Sequence, residues 1–570
     1  MAARYYLREI QLTDRTVVRP PEDGLTVFTG PNNSGKSVLL NELAAATTSH
    51  PQSNFLWVAN TITGHEGSRE EFQTWLHERG YQPRTPRALP GQVAQPVYPG
   101  ANEHNALQVD VVLNSWASEQ FNNLNHFLVS YQQTINRLQD QTSQPLWDQR
   151  QPPIHPSQRL WESREDTERI SRLVEEAFGQ PLTINRYAQR IALQLGSTGM
   201  QDTEPPASPE LQEAYESLAY VTEQGDGFRA FINILLHTLV RPTPVIVIDE
   251  PEAFLHPPQA RLLGRFLAQH TPSPCQVFVA THSADFLGGV IEGNASALQK
   301  QLSLVRISRP AQGPAARILE PAQVKEILDT PLLRYSNIVS GLFHDGVVLS
   351  EAEGDCQFYA ATFDTIHTGP QNNLTFLHVN GKARLADAAR KLRACDIPTA
   401  IVADIDFLNS EHTLKQALNL LHGDWKTVLA DFLALKNNVE SQVVSKQKQE
   451  IKQEINTIIG RGTGPLSQQD IDRITETVKA ANGWKILKTS GLTALSGPPH
   501  NAAQRLLDYF ASIGVFLVPV GELECWIRSV PPTPKAEWLT QVFENSHHTK
   551  PTQELRNFCA RITSYLAPRA

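Results

Sequence analysis

The sequence predicts an α/β protein in two successive parts, and three observations support this fold class. Residues Gly30 to Ser37 form a glycine-rich loop between an apolar strand and a helix. A second apolar run, Pro244 to Ile248, is followed directly by two carboxylates, Asp249 and Glu250. In the second half, Gly346 to Ser350 and Thr399 to Ala403 are also apolar and are also followed by carboxylates. Continuous apolar runs are typical of parallel strands buried on both faces, which favours an α/β fold.

The glycine-rich loop matches the phosphate-loop pattern G-x-x-x-x-G-K-[ST] at every fixed position. Leu25 to Phe28 predicts a strand before the loop, and Val38 to Leu43 predicts a helix after it. Such a turn directs backbone N–H groups and the positive end of the helix dipole at phosphates. Lys36 would reach the phosphates, and the Ser37 hydroxyl would hold Mg²⁺. The predicted nucleotide-binding residues of the loop are Gly30, Asn32, Asn33, Ser34, Gly35, Lys36 and Ser37.

Two later strands predict the rest of this nucleotide site. Asp249 would hold Mg²⁺, directly or through water, and Glu250 would polarise the attacking water. The apolar run Gln276 to Ala280 is followed by His282, which is placed to sense a γ-phosphate. A strand with a charged end and a structural histidine are the alternatives, and the order of the three motifs favours the nucleotide site.

The string from Asp249 to Pro257, Asp-Glu-Pro-Glu-Ala-Phe-Leu-His-Pro, resembles the ABC-type ATPases related to recombination and chromosome-maintenance proteins. The resemblance implies ATP bound between two heads, one supplying the phosphate loop and the other a signature loop, and therefore at least a homodimer. The candidate signature is Thr222 to Phe228, in which Gly225 and Gly227 would present backbone N–H groups to a phosphate. It lacks the common Leu-Ser-Gly-Gly-Gln form, so an ordinary glycine-rich helix start is the alternative. The glutamine loop of that family is left unassigned.

The second half carries a different set of carboxylates. Glu351 and Asp355 follow its first apolar strand, and Asp404 and Asp406 follow a later one. Together they predict an oxygen-rich site suited to Mg²⁺ or Mn²⁺. The arrangement resembles the Toprim domain of topoisomerases, primases and certain nucleases, which shows Glu-Gly-x-x-Asp and then Asp-x-Asp. Ala352 replaces the usual glycine. Glu353-Gly354 is a second Glu-Gly pair, but only Glu351 is followed by Asp355 four residues later, so the motif is read from Glu351.

Two positions near the end of the chain complete the predicted second site. Glu524 follows a predicted strand, Val515 to Val518, and resembles the late acidic metal ligand of Toprim nucleases. Lys550 precedes the last predicted helix and resembles their terminal catalytic lysine. A surface charge is the alternative at each position.

An ABC-type ATPase followed by a Toprim domain in one chain resembles the OLD (overcoming lysogenization defect) family of ATP-dependent endonucleases. The Gabija nuclease subunit and retron-associated OLD-like effectors are built in the same order. We expect the ATPase at 1–80 and 209–335, a mainly helical insertion at 81–208 with a possible role in dimerisation, and the Toprim domain at 336–570. A helical insertion is expected within the Toprim domain at about 408–482, and 105–140 is expected to be helical.

Composition limits the classes of protein that fit. The 570 residues are 40% hydrophobic, which is ample for two or three packed domains. No apolar run reaches the roughly 20 residues that span a membrane, and the N-terminus lacks a signal peptide's apolar core. Five cysteines without a CxxC pair favour a reducing cytoplasm. The formal net charge of −9 requires any nucleic acid to bind in a local basic groove.

The resemblance implies ATP-controlled, metal-dependent cleavage of nucleic acid, most readily DNA, in prokaryotic defence. The implied cofactors are ATP and Mg²⁺, with Mn²⁺ as an option at the second site. A partner protein or a retron RNA–DNA complex is a further possible requirement, and no membrane partner is expected. Two alternatives stay open: a Toprim nuclease that acts on RNA such as tRNA, and an ATPase that senses or clamps DNA without cutting it.

Overall fold

The computed structural model describes residues 3–85, 95–98, 106–139, 144–147, 149, 153, 155–240, 242–296, 301–310, 313–330, 337–367, 373–441, 448–460, 464–479, 483–531 and 534–567. The chain divides into two compact units, Met1–Lys325 and Glu326–Ala570. The strands of the first unit are β1 (Arg4–Leu12), β2 (Val17–Val18), β3 (Gly24–Thr29), β4 (Val58–Glu66), β5 (Val97–Tyr98), β6 (Leu107–Gln108), β7 (Val129–Gln132), β8 (Gln144–Pro145), β9 (Leu182–Ile184), β10 (Arg190–Ile191), β11 (Leu193–Leu195), β12 (Ala219–Tyr220), β13 (Val245–Asp249), β14 (Gln276–Ala280), β15 (Gln301–Ser308) and β16 (Ala315–Leu319).

The main sheet of the first unit has the strand order β16-β15-β3-β14-β13-β7. Its neighbours pair in parallel except for β15 and β16, which are antiparallel. Strands β3 and β14 are buried along their whole length, as their apolar sequences predict. Because β3, β13 and β14 are parallel neighbours, the phosphate loop, the carboxylates and His282 follow the strands at one edge of the sheet.

Helices cover this sheet and a smaller antiparallel sheet of order β2-β1-β4 completes the head. The helix after β3 buries Leu39, Leu40 and Leu43 in a core that includes Phe28 of that strand. The helices of the first unit are Lys36–Ala46, Arg69–Glu78, Val109–Ala117, Asn125–Leu128, Thr134–Gln139, Pro156–Glu162, Arg164–Phe178, Pro209–Glu216, Asp226–Leu235, Pro257–His270 and Ala284–Ser296, and Pro321–Asp329 crosses into the second unit.

One prediction for this unit was wrong in part. The region 105–140 was expected to be helical, but it includes the strand Val129–Gln132, which pairs in parallel with β13 at the edge of the main sheet. The apolar residues upstream, Trp116, Phe121 and Phe127, are buried and follow a helical spacing, so the whole region was interpreted as helix. The four-residue strand forms only because it pairs with a segment that is distant in sequence. Part of the predicted insertion 81–208 therefore belongs to the ATPase sheet.

The second unit is built on a four-stranded parallel sheet of order β18-β17-β19-β20. Its strands are β17 (Gly346–Ser350), β18 (Leu374–His378), β19 (Thr399–Ala403) and β20 (Val515–Leu517). The two central strands, β17 and β19, are fully buried. Both carry the predicted carboxylates at their carboxyl ends, so the sheet brings the two motifs side by side.

Helices flank this sheet and fill the segment between β19 and β20, where a helical insertion was expected at about 408–482. The helices of the second unit are Glu353–Ile366, Leu385–Ala394, Glu411–Leu420, Trp425–Ser441, Lys448–Ile459, Gln468–Lys479, Gly483–Ser490, Gly497–Ser512, Lys535–Glu544 and Gln553–Leu566. Across the ranges given above, no helix combines the length and the apolarity that crossing a bilayer requires.

Candidate active sites

The phosphate loop has the backbone that its sequence predicts. Gly35 adopts φ +93°, and a Cβ at this position would lie 2.6 Å from the indole nitrogen of Trp57. Only glycine meets both the left-handed backbone and this close approach. The helix Lys36–Ala46 begins directly after it, while Asn32 and Asn33 are exposed at the tip of the loop. The turn therefore directs the first amides of the helix toward the space above the loop.

Lys36 folds back over the loop. Its Nζ donates hydrogen bonds of 2.9 Å to the carbonyl oxygens of Gly30 and Pro31, and the residue is 7% exposed. Burial lowers the pKa of Lys36, against the opposing effect of Glu250 and the other nearby carboxylates. The two carbonyls do not neutralise this buried cation, so its surroundings suit an anionic ligand.

Several polar atoms of this site are buried without a hydrogen-bond partner in the described part of the chain. They include Ser34 Oγ and Asp249 Oδ1. Burial raises the pKa of Asp249, although a hydrogen bond from Ser37 opposes the shift. Orphaned buried oxygens of this kind are costly unless a ligand or ion satisfies them. The residues therefore fit a nucleotide phosphate and its Mg²⁺, with Ser37 and Asp249 as the residues that would hold the ion.

Glu250 and His282 meet as their motifs predict. His282 Nδ1 lies 3.3 Å from Glu250 Oε1 and 3.4 Å from Glu252 Oε1. The pairing with Glu250 raises the pKa of His282, and the same pairing lowers the pKa of Glu250. Glu252 is held in place by Thr281 Oγ1 at 2.8 Å and by the His282 amide at 2.9 Å. Glu250 is therefore an ionised carboxylate at neutral pH, as a residue that orients water requires.

Two residues of this site were missed by sequence reasoning. Arg137 is 2% exposed, donates to the Glu250 carbonyl at 2.9 Å, and has its pKa lowered to about 10 by burial. Gln132, at the end of β7, has both amide polar atoms buried without a partner among the described residues. The signal for Gln132 is a glutamine closing an apolar stretch, but that stretch was interpreted as helix. Gln132 pairs with Ile248 at the end of β13, next to Asp249.

The candidate signature forms a helix start. Gly225 is the N-cap of the helix Asp226–Leu235, and a Cβ on Gly225 would have nothing within 4 Å. A Cβ on Gly227 would lie 2.3 Å from the carbonyl oxygen of Phe254. Gly227 is therefore required by packing within the unit, whereas Gly225 is open on the side where a ligand could approach.

In the second unit the first carboxylate motif has a relaxed backbone. Ala352 has φ −133° and ψ 162°, an extended conformation that any residue adopts, so alanine in place of glycine causes no strain. Its amide donates to Asp355 Oδ2 at 3.1 Å, which caps the helix Glu353–Ile366. Glu353 is exposed and accepts a hydrogen bond from Gln357, whereas Glu351 is half-buried at the end of β17. Of the two possible registers, the one that starts at Glu351 therefore uses the less exposed glutamate.

The second motif lies beside the first. Burial, followed by the nearby charge of Asp355, raises the pKa of Asp404 to about 7. Asp406 adds to the same shift. Glu522 is a further carboxylate of this cluster, and burial together with Glu524 raises its pKa. The structure thus brings five predicted carboxylates to one end of the sheet, with Glu522 as an addition that sequence reasoning missed. We call this set the acidic cluster, and its members are Glu351, Asp355, Asp404, Asp406, Glu522 and Glu524.

Three lysines lie among these carboxylates. Lys535 Nζ is 2.5 Å from Asp355 Oδ1, and Lys382 Nζ is 3.1 Å from Asp406 Oδ1. Lys488 Nζ lies between 3.4 and 3.6 Å from oxygens of Asp404, Asp406 and Glu522. Lys488 and Lys535 stand on helices far from the carboxylate motifs in sequence, so no local pattern points to them. Lys382 lies between the two carboxylate motifs, just before the helix Leu385–Ala394.

The acidic cluster has the right donor chemistry for a hard divalent cation, because carboxylate oxygens are the ligands that Mg²⁺ and Mn²⁺ prefer. Within the described ranges, however, no three acidic, histidine or cysteine side chains are arranged so that they could hold one ion. Lys488 faces three of the carboxylates, and Lys382 and Lys535 each pair with one. The donor atoms of the cluster therefore suit a divalent ion, but in this structure lysine side chains are the cations that they face.

Lys550, the predicted catalytic lysine, lines a cavity of about 560 Å³ with Trp526, Arg528, His547 and His548. No ion pair joins Lys550 to a carboxylate of the acidic cluster among the residues that the structure describes. The lysines that contact these carboxylates are Lys382, Lys488 and Lys535. The catalytic role of Lys550 stays a prediction.

Two family models match the chain. One, described as "AAA domain, putative AbiEii toxin, Type IV TA system", covers residues 120–287. The other, described as "Overcoming lysogenization defect protein-like, TOPRIM domain", covers residues 342–406. The Old nuclease of Escherichia phage P2 is 27% identical over 210 residues, 35% of this chain. The match spans 34%, about a third, of the length of that relative.

Solved structures of SMC head domains also match. The SMC head domain from Thermotoga maritima is 13% identical, with 56% of this chain and 100% of that chain covered and a TM-score of 0.28. The Smc head domain with an extended coiled coil bound to the C-terminal domain of ScpA, derived from Pyrococcus furiosus, is 10% identical, with 57% and 99% covered and a TM-score of 0.30.

The predicted resemblance to the OLD family is confirmed. The chain combines an ATPase domain with an OLD-like Toprim domain, in that order, and resembles the Old nuclease in sequence. The predicted fold class is confirmed as well, because each unit is built on a parallel α/β sheet and each family match falls in the expected unit.

Proposed function

We propose that this chain is a nucleotide-regulated, metal-dependent endonuclease of the OLD type that cleaves DNA phosphodiesters in prokaryotic anti-phage defence. The observation that carries the proposal is the juxtaposition of the two carboxylate motifs at the ends of β17 and β19, in a chain that also holds a phosphate-loop site. The family resemblance supports the same reaction class.

In the nuclease site, Glu351, Asp355, Asp404, Asp406 and Glu524 are the residues that would hold Mg²⁺ or Mn²⁺. A divalent ion bound there supplies positive charge at the scissile phosphate and an activated water. Lys535, beside Asp355, is placed to offset the charge that develops on the phosphate. Burial and then the charge of Asp355 raise the pKa of Asp404 to about 7, so the positive charge of a bound ion would favour the ionised form of this carboxyl.

In the ATPase site, Lys36 and the loop amides would bind the phosphates of ATP. Glu250 would orient the attacking water, and His282 Nδ1 pairs with the Glu250 carboxylate. Gly225 would approach the phosphate of a second copy, which supports a homodimer or a higher homo-oligomer. Among the five cysteines none forms a disulfide, which supports a cytoplasmic location.

The experiment is cleavage of supercoiled DNA, linear DNA and total tRNA in Mg²⁺ or Mn²⁺, with and without ATP. Wild type is compared with Glu351→Ala and Lys36→Ala. Cleavage of DNA that Glu351→Ala abolishes would support the proposal, and the Lys36→Ala rate would give the sign of ATP control. Cleavage confined to tRNA would make RNA the substrate.

A second candidate function is an ATPase that clamps DNA without cutting it. The lysines between the carboxylates favour it, because they neutralise the acidic cluster without a metal ion. ATP hydrolysis and DNA retention with no cleavage of any substrate, even after addition of a partner protein or a retron RNA–DNA complex, would favour this candidate.

A further inference from the structure

Lys488 lies among three carboxylates although it belongs to neither carboxylate motif. Its Nζ is 3.6 Å from Asp404 Oδ2, 3.5 Å from Asp406 Oδ2 and 3.4 Å from Glu522 Oε2. One cation that faces oxygens of three carboxylates has the surroundings that an acidic cluster offers to a divalent ion. Lys488 is therefore the cation that these three carboxylates face.

The position of Lys488 is built into the backbone. Gly521, directly before Glu522, has φ +117°, and a Cβ there would lie 2.0 Å from the carbonyl oxygen of Lys488. Four residues further along the chain, Leu492 N donates to Pro519 O at 2.9 Å. The helix Gly483–Ser490 is thus fixed against the segment that leads to Glu522. The side chain of Lys488 is 34% exposed, so it can change rotamer and leave the carboxylates without movement of the helix.

An ammonium group and a divalent ion exclude each other at this position. Mg²⁺ needs oxygen ligands at about 2.0–2.1 Å, which is shorter than the 3.4 Å between Lys488 Nζ and Glu522 Oε2. Two cations held by the same oxygens also repel each other strongly in a half-buried site.

We propose that Lys488 competes with the divalent cation for Asp404, Asp406 and Glu522, so that an ion enters this part of the acidic cluster only after the lysine side chain has turned away. The inference rests on the proposed function and deepens it. A residue outside both carboxylate motifs then sets the metal concentration at which the nuclease site loads.

The test measures Mn²⁺ binding to the full chain, without nucleic acid or nucleotide. Binding is measured by calorimetry and by the electron spin resonance signal of free Mn²⁺. Lys488→Met removes the competing charge and keeps most of the side-chain volume, and it should bind Mn²⁺ about tenfold more tightly than wild type. Lys488→Arg keeps the charge and should stay within about twofold of wild type. Lys485→Met is the matched control, because Lys485 is an exposed lysine on the same helix.

Unchanged or weaker Mn²⁺ binding by Lys488→Met, in a protein whose circular dichroism matches wild type, would overturn the competition. Lys488→Gln provides a second neutral side chain if the methionine variant does not fold. Asp404→Asn separates this inference from the proposed function. If Asp404→Asn abolishes Mn²⁺ binding and Lys488→Met leaves it unchanged, only the competition is overturned. If neither wild type nor any variant binds Mn²⁺, the metal site itself is overturned.

Discussion

Lys535 Nζ lies 2.5 Å from Asp355 Oδ1, and this pair joins the first carboxylate motif to a helix that begins 180 residues later in the chain. Asp355 is 10% exposed in its side chain, and Lys535 is one-third exposed. Burial opposes the charge of the lysine, but Asp355 and then Asp404 raise the pKa of Lys535 above its ordinary value. Lys535 is therefore charged at any pH at which the nuclease would act.

We expect Lys535, rather than Lys550, to supply the positive charge for phosphodiester cleavage. Lys535→Gln should lower the initial rate of plasmid cleavage by about 100-fold or more, as loss of a charge at a developing oxyanion does. Lys550→Gln should lower it by less than about tenfold, because no ion pair joins Lys550 to the acidic cluster in the described part of the chain. A larger loss in Lys550→Gln than in Lys535→Gln, with both proteins folded, would return the catalytic role to Lys550.

Glu250→Gln should separate ATP binding from ATP hydrolysis. The amide keeps the shape of the side chain but cannot accept a proton from water, so hydrolysis should fall by about 10²–10⁴-fold while ATP affinity changes little. If two heads enclose ATP, this variant should also accumulate as a dimer in ATP, which light scattering after size exclusion detects. Glu78→Gln, an exposed carboxylate on the helix Arg69–Glu78, is the control. A monomer at every ATP concentration would argue against the paired heads.

The two signature glycines should respond differently to the same substitution. Gly225→Ala adds a methyl group in open space, so the melting temperature should stay within about 2 °C of wild type while ATP-dependent dimerisation weakens. Gly227→Ala would place its Cβ against the Phe254 carbonyl oxygen, and we expect it to cost about 1–3 kcal/mol of stability. Thermal unfolding and ATP hydrolysis, measured on both variants, test this pair. Normal hydrolysis by Gly225→Ala would show that the loop is only a helix start.

The pairing of His282 with Glu250 predicts a pH-dependent stability. The pKa of His282 is raised in the folded protein. The contribution of His282 to the free energy of unfolding is therefore fully present below its unfolded pKa of about 6.5, and it is lost as the pH rises through its folded pKa. The melting temperature of His282→Gln should therefore fall further below wild type at pH 6 than at pH 9, in the absence of ATP. His50→Gln, at an exposed position, should show no such trend. A gap that widens with rising pH would contradict the assignment.

Much of the fold was predictable because the motifs close continuous apolar strands. Gly30 to Ser37, Asp249-Glu250 and Asp404 to Asp406 each follow a segment that is buried along nearly its whole length. Such runs place their ends at the same edge of a parallel sheet, so local sequence already carries the geometry. The strand Val129–Gln132 was missed because four residues give too short a pattern, and only pairing with β13 makes them a strand.

The sequence by itself determined the two α/β parts, the phosphate loop, the order of the motifs and the carboxylates that end β17 and β19. Only the tertiary structure decided which cations meet those carboxylates. Lys382, Lys488 and Lys535 come from three separate segments of the chain. Charge pairing acts through space and carries no sequence period, so a lysine's partner depends on how helices pack rather than on the residues beside it.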